Sequence, residues 1–185
     1  VGDKGRGTTY SHVIYSDDHG KTWQLGGTVA PHTNECQLAE LPDGTLIINM
    51  RNYWGRDGKE AAKDKMRAIA FSKDGGATWS DLHFDKTLIE PICQASLHRY
   101  DSPAAKDQGW LLFSNPASTT TRHRLTVRLS KDGGKTWPTS WLLNKGPSAY
   151  SCLGQLPDGT VLCLYERGDD SPYEKITLAR FPLKP

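Results

Sequence analysis

Apolar residues along this chain gather in short runs, and almost every run ends in Gly, Pro, Asp, Asn or Ser. Runs of this kind predict β-strands joined by tight turns. The clearest case is the stretch 34–51, Asn-Glu-Cys-Gln-Leu-Ala-Glu-Leu-Pro-Asp-Gly-Thr-Leu-Ile-Ile-Asn-Met-Arg. It returns at 150–166 as Tyr-Ser-Cys-Leu-Gly-Gln-Leu-Pro-Asp-Gly-Thr-Val-Leu-Cys-Leu-Tyr-Glu. In both, an identical Leu-Pro-Asp-Gly-Thr parts two apolar runs. Pro presets φ and Gly supplies the positive φ, so each copy predicts a β-hairpin. A hairpin brings its chain ends back to one level, which puts Glu35 beside Arg51 and Tyr150 beside Glu166.

Three octets of pattern S-x-D-x-G-x-T-W begin at Ser16, Ser72 and Ser130, 56 and 58 residues apart, and mark an internal repeat. A strand-like run leads into each, at 12–15, 67–71 and 125–129, and a fourth run at 176–181 has no octet. The octet's Asp can accept backbone N–H bonds, its Gly relieves the turn and its Trp is an apolar anchor, so the octets predict turn pins. One recurring Asp falls short of the ligand set of a calcium loop, and no metal is expected. Together the two patterns give a four-stranded antiparallel meander: strand, Leu-Pro-Asp-Gly-Thr turn, strand, long loop, strand, octet, outer strand. The middle copy is looser, with strands expected at 93–100 and 109–113 and a turn at 101–108. Four-stranded sheets repeated at about 40 to 60 residues predict an all-β propeller. The chain holds about three and a half blades and a closed ring needs about four to eight, so an isolated half-ring would expose strand edges. Residues 1–185 are therefore expected to be the C-terminal portion of a single propeller domain, with an N-terminal half as its partner.

Composition narrows the picture little. Of 185 residues, 36% are hydrophobic, enough for a sizeable core, and 23 Lys and Arg against 21 Asp and Glu leave a formal charge of +2. That balance points away from nucleic acid. No apolar run is long enough to span a membrane, and the first residues carry neither the apolar segment of a signal peptide nor a start Met, so a segment upstream is expected. Cys36, Cys93, Cys152 and Cys163 lack C-x-x-C spacing and most fall in apolar strand runs, which predicts buried thiols, a disulfide being the other option. The six histidines have no metal-ligand spacing, and no cofactor is expected.

In an up-and-down meander, the start of strand one, the end of strand two and the start of strand three share one end of the blade. Glu35, Arg51, Tyr150 and Glu166 fall on that face, joined by Arg122 from the loop 114–123 and by the long loops 52–65 and 167–175. The octets fall opposite. Clustered arginines on a concave surface suit a ligand carboxylate, which the guanidinium fork pairs bidentately.

These residues resemble a known family. S-x-D-x-G-x-T-W is similar to the Asp box of sialidases. The ordered segments Asn34-Glu35-Cys36-Gln37, Met50-Arg51-Asn52, Phe113-Ser114-Asn115-Pro116-Ala117 with Arg122, Gly146 to Ser151, and Tyr165-Glu166 resemble the catalytic segments of exo-α-sialidases of the bacterial and lysosomal-type branch. The resemblance covers nearly the whole chain. It implies a six-bladed propeller and hydrolysis of terminal α-linked sialic acids from glycans by a retaining mechanism. It also implies Tyr150 as nucleophile, Glu35 as its base, Arg51 and Arg122 as two of three carboxylate-binding arginines, and Glu166 as the group orienting the first arginine. That first arginine and the acid/base Asp have no counterpart in this chain, and Arg124 is the weaker alternative to Arg122. A neutral phenol can approach an anomeric centre that already bears a carboxylate, but with a pKa near 10 it needs a base, and nearby arginines should favour the phenolate. Two other readings share the motifs: a non-catalytic Asp-box propeller that binds sialylated glycans or proteins, and a trans-sialidase using Tyr53 and Trp54 in its acceptor site. By analogy with the family, an extracytoplasmic location, periplasmic, secreted or lysosomal, is expected. Glu35 and Tyr150 begin equivalent strands two blades apart, so the mechanism demands that ring curvature bring them together.

Overall fold

The computed structural model describes residues 7–102 and 108–183, so most of the turn expected at 101–108 lies outside the described residues. The order of elements follows the predicted meanders. Strands β1 (Tyr10–Tyr15) and β2 (Gln24–Pro31) form a two-stranded sheet. Strands β3 (Thr33–Glu40), β4 (Leu46–Asn52), β5 (Met66–Ser72) and β6 (His83–Ile89) form a complete four-stranded blade. The remaining strands are β7 (Ser96–Arg99), β8 (Leu111–Pro116), β9 (His123–Ser130), β10 (Thr139–Gln155), β11 (Thr160–Arg167) and β12 (Lys175–Pro182). All pair antiparallel with their sequence neighbours, as in a propeller.

Two features depart from expectation. The first strand of the middle blade is only four residues, Ser96–Arg99, rather than 93–100. More consequentially, β10 runs unbroken for 17 residues and serves two blades. Its first part, from Thr139 to Pro147, pairs with β9, and its second, from Ser148 to Gln155, pairs with β11. The expected gap between outer strand and next inner strand is absent, and the last two blades merge into one six-stranded sheet.

Three apolar cores lie between successive blades. Val29 of β2 meets Ile48, Met50, Ala68 and Ala70; Ile47, Ile69 and Leu88 meet Leu97, Leu111, Phe113 and Trp137; Leu112, Leu125 and Val127 meet Leu153, Val161 and Cys163. Adjacent residues such as Ile47 and Ile48 serve different cores because side chains alternate faces along a strand. A blade packed on both sides therefore reads as an unbroken apolar run.

The two kinds of turn repeat atom for atom. In each Leu-Pro-Asp-Gly-Thr turn the Thr N–H donates to the Asp carboxylate, at 3.0 Å for Asp43 and 2.9 Å for Asp158, and Gly44 and Gly159 take φ of 80° and 84°. In each octet the Ser hydroxyl donates to the Asp and the Thr donates to it through both backbone and side chain; around Asp74 these bonds span 2.5 to 2.9 Å. The indoles bind the neighbouring sheet: Trp79 Nε1–H donates to the Gly27 carbonyl at 3.2 Å and Trp137 Nε1–H to Asp85 at 3.1 Å. Trp23, with no preceding sheet among the described residues to reach, is 61% exposed.

The bonds from Thr22 and Thr78 hold Asp18 and Asp74 down to a pKa of about 2. Burial would raise Asp132, but the bonds from Thr136 outweigh it and its pKa is also lowered. Carboxylates depressed in the fold stabilise it fully above the ordinary Asp range and lose that contribution as pH falls from about 4 toward 2. The urea midpoint should therefore drop over this window, and Asp74→Asn should flatten the slope. An unchanged slope would remove the octets from the account of acid unfolding.

Candidate active site

The structure brings Glu35 and Tyr150 into direct contact although they stand 115 residues and two blades apart: the Tyr150 hydroxyl donates to Glu35 Oε1. Side-chain ties between inner strands set this curvature. Gln37 Oε1 accepts the Leu97 N–H at 2.7 Å, Ser96 Oγ accepts the Leu153 N–H at 3.0 Å, and the Gln94 amide brackets both backbone groups of Ser151 at 3.0 Å.

Both residues also sit in matching irregularities. Between the pairs Thr33–Asn52 and Cys36–Met50, and between Ser148–Arg167 and Ser151–Tyr165, the inner strand carries one residue more than its partner. Such bulges re-aim a side chain against the strict alternation of a strand. Glu35 and Tyr150 each lie within theirs.

Arg51, near the end of β4, donates from Nη1 to Glu35 Oε2 at 2.8 Å, and the same nitrogen lies 3.4 Å from the Tyr150 oxygen. The Arg122 guanidinium carbon lies 5.7 Å from the centre of the Tyr150 ring; its Nη1 donates to the Tyr173 hydroxyl at 2.6 Å and its Nη2 to the Ile92 carbonyl at 3.5 Å. Arg124 is exposed, with a positive φ of 64°. Glu166 Oε2 accepts the backbone N–H of Tyr150 at 2.9 Å, fixing the strand at the phenol. A cleft of about 280 Å³ opens beside Tyr150 and Glu166, lined also by Gln94, Leu164 and Ile176.

Residues 4–163 match the BNR repeat-like domain. The chain belongs to the BNR repeat-like domain family. This BNR-repeat chain is 40% identical over 169 residues to a sialidase of Micromonospora viridifaciens, covering 90% of itself and 25% of that protein. It is 38% identical over 161 residues to a sialidase of Bacteroides fragilis, covering 83% and 28%. Its fold is similar to that of the Hadza microbial sialidase Hz136, with a TM-score of 0.77 at 38% identity over 94% of this chain and 32% of the other. The chain thus spans between a quarter and a third of the length of these relatives.

Electrostatics in the BNR-repeat site divide the proton between two groups. Burial, then the hydrogen bond to Glu35 and its charge, push the Tyr150 phenol up to about 12. Arg51 favours the phenolate, as expected, but is outweighed, so Tyr150 rests as a neutral phenol. Burial would raise Glu35, but the bonds from Tyr150 and Arg51 and the charges of Arg51 and Arg122 hold it below the usual carboxylate range. The pair is a proton donor held against an ionised acceptor.

Several residues escaped the sequence reading. Gln94 lies in the loop before β7 and Tyr173 in the turn between β11 and β12, with no motif to flag them. Arg67 and Glu90 form a fully buried ion pair behind the arginines. Their one signal is a charge opening the otherwise apolar run at 67–71. Tyr53 is buried, with the Arg56 and Arg51 guanidinium carbons 3.8 and 5.1 Å from its ring centre, and Trp54 meets His32 edge-on at 4.8 Å. Both aromatics pack the loop that holds them. All four cysteines are free, but Cys152 is exposed rather than buried, since no core cluster among the described residues includes its side of β10.

Proposed function

We propose that the chain carries the nucleophile, its base and two carboxylate-binding arginines of a sialidase that releases terminal α-linked sialic acids with retention of configuration. The observation that supports this reading is the hydrogen bond from Tyr150 to an ionised Glu35. A binding module needs arginines for a carboxylate, but it has no use for a base facing a phenol.

Arg51 and Arg122 flank Tyr150 and bind the sialic acid carboxylate beside the anomeric carbon. As the Tyr150 oxygen attacks that carbon, its proton passes to Glu35, so no free phenolate has to form at neutral pH. The glycosidic bond breaks, and the leaving oxygen takes a proton from an acid supplied by a part of the whole protein outside residues 1–185. Water gives a proton to the carboxylate that this acid has become and cleaves the sialyl-tyrosine bond, and Glu35 returns its proton to the departing tyrosine oxygen. Glu166 steadies Tyr150 through its backbone and is the carboxylate left to orient a third arginine. A tyrosine nucleophile is the known exception to the carboxylate pair of most glycosidases.

Proton NMR of the whole protein acting on a sialoside tests this. The first anomer to appear should be α, converting later to β. A first-formed β anomer would overturn the retaining mechanism, and binding without release of sialic acid would favour the non-catalytic module.

A further inference from the structure

Arg67 and Glu90 are buried completely, and ordinary packing does not account for them. Removing two charges from water is costly, and an apolar pair of similar volume is often as stable or more so. Their hydrogen bonds lead to the two arginines of the site from behind. Glu90 Oε1 accepts the backbone N–H of Asn52, the residue after Arg51, at 2.8 Å, while Glu90 Oε2 accepts from Arg67 Nη1. Arg67 Nη1 also donates to the Cys93 carbonyl at 2.8 Å. Cys93 follows Ile92, whose carbonyl receives Arg122 and whose φ is +57°. Arg67 Nε–H donates to Asn49 Oδ1 at 2.7 Å, so the guanidinium is tied into β4 two residues before Arg51.

The charges alternate as well. Arg51 and Arg67 lie on adjacent strands, each one step past the Met50–Ala68 pair; burial raises the Glu90 carboxyl above its ordinary range, and the charges of both arginines oppose that rise. Without Glu90, two cations would face each other in a site shielded from water, where repulsion is strong. With it, Glu35, Arg51, Glu90 and Arg67 alternate in sign.

We infer that the Arg67–Glu90 pair is a positioning device for the carboxylate clamp: it fixes the backbone under Arg51 and the Ile92 carbonyl under Arg122, and touches no substrate itself. The inference rests on the function proposed above. A substrate carboxylate persists from ground state to transition state, so a misplaced clamp weakens both alike and appears in KM rather than kcat.

The test uses the whole protein. Glu90→Gln keeps an acceptor for Asn52 but removes the charge. Its KM for a sialoside, and its Kd for a non-hydrolysable sialic acid analogue, should rise about tenfold or more, with kcat falling far less. The methyl ester of that analogue, which has no carboxylate to clamp, should bind wild type and variant alike. A purely structural role would lower the melting temperature and leave KM and Kd where they were. Should Glu90→Gln not fold, the double variant Arg67→Met with Glu90→Met removes both buried charges together and carries the same expectation. A KM and Kd within twofold of wild type in either folded variant overturns the inference. If the wild-type protein neither cleaves nor binds sialic acid, the proposed function falls and this inference with it; wild-type activity with an unchanged variant sinks this inference alone.

Discussion

Replacing Tyr150 by phenylalanine in the whole protein should lower kcat for sialoside hydrolysis by on the order of 10³-fold or more, the scale on which loss of a covalent nucleophile is felt. The substitution deletes one oxygen. That oxygen is bonded to Glu35 and approached by Arg51, and Tyr150 belongs to none of the three apolar cores, so the fold should persist. A fluorinated sialyl donor, which slows breakdown of a covalent intermediate, should label the wild-type protein on the peptide containing residue 150 and leave the variant unlabelled. Intact turnover, or a label on another residue, would remove Tyr150 from the role.

Glu35→Gln should cost about 10² to 10⁴ in rate, the range for a positioned general base. Its pH profile tells more than the size of the loss. Glu35 must be ionised to accept the phenol's proton, and its pKa lies below the usual range, so wild-type kcat should fall only as pH drops beneath that range. The glutamine variant should lack this acid limb. The Glu35 charge is one of the causes holding the phenol near 12. Without it Tyr150 ionises more readily, and the residual rate of the variant should climb as pH rises above neutrality. A variant that is simply slower, with the wild-type profile, would mean that Glu35 orients the phenol without taking its proton.

The blades were legible because each strand and turn announces itself locally. Gly44 and Gly159 mark turns that only a positive φ allows, and the Ser, Asp and Thr of each octet bond to one another within a few residues. The site was legible at the level of shared faces, since hairpin geometry alone sets Glu35 near Arg51 and Tyr150 near Glu166. The bulges at Glu35 and Tyr150 were not, because neither carries a Gly or Pro to betray the extra residue. The Arg67–Glu90 pair was hidden for another reason: its partners come from β5, the end of β6 and the loop beyond, and no short-range pattern links residues 23 apart. The continuity of β10 was missed because the repeat starts its second hairpin at Tyr150, whereas the strand runs through Pro147, which closes the pairing with β9 at a shift in register.

A protein of repeated blades invites treatment as a set of interchangeable cassettes. Its seams would be the places to cut, lengthen or exchange. The seam between the last two blades, however, falls inside β10, where Pro147 pairs backward to His123 and Ser148 forward to Arg167, with Tyr150 just beyond. Lineages or engineers that insert even one residue there would rotate the phenol away from Glu35. This boundary is closed to recombination by the contact that lies just past it.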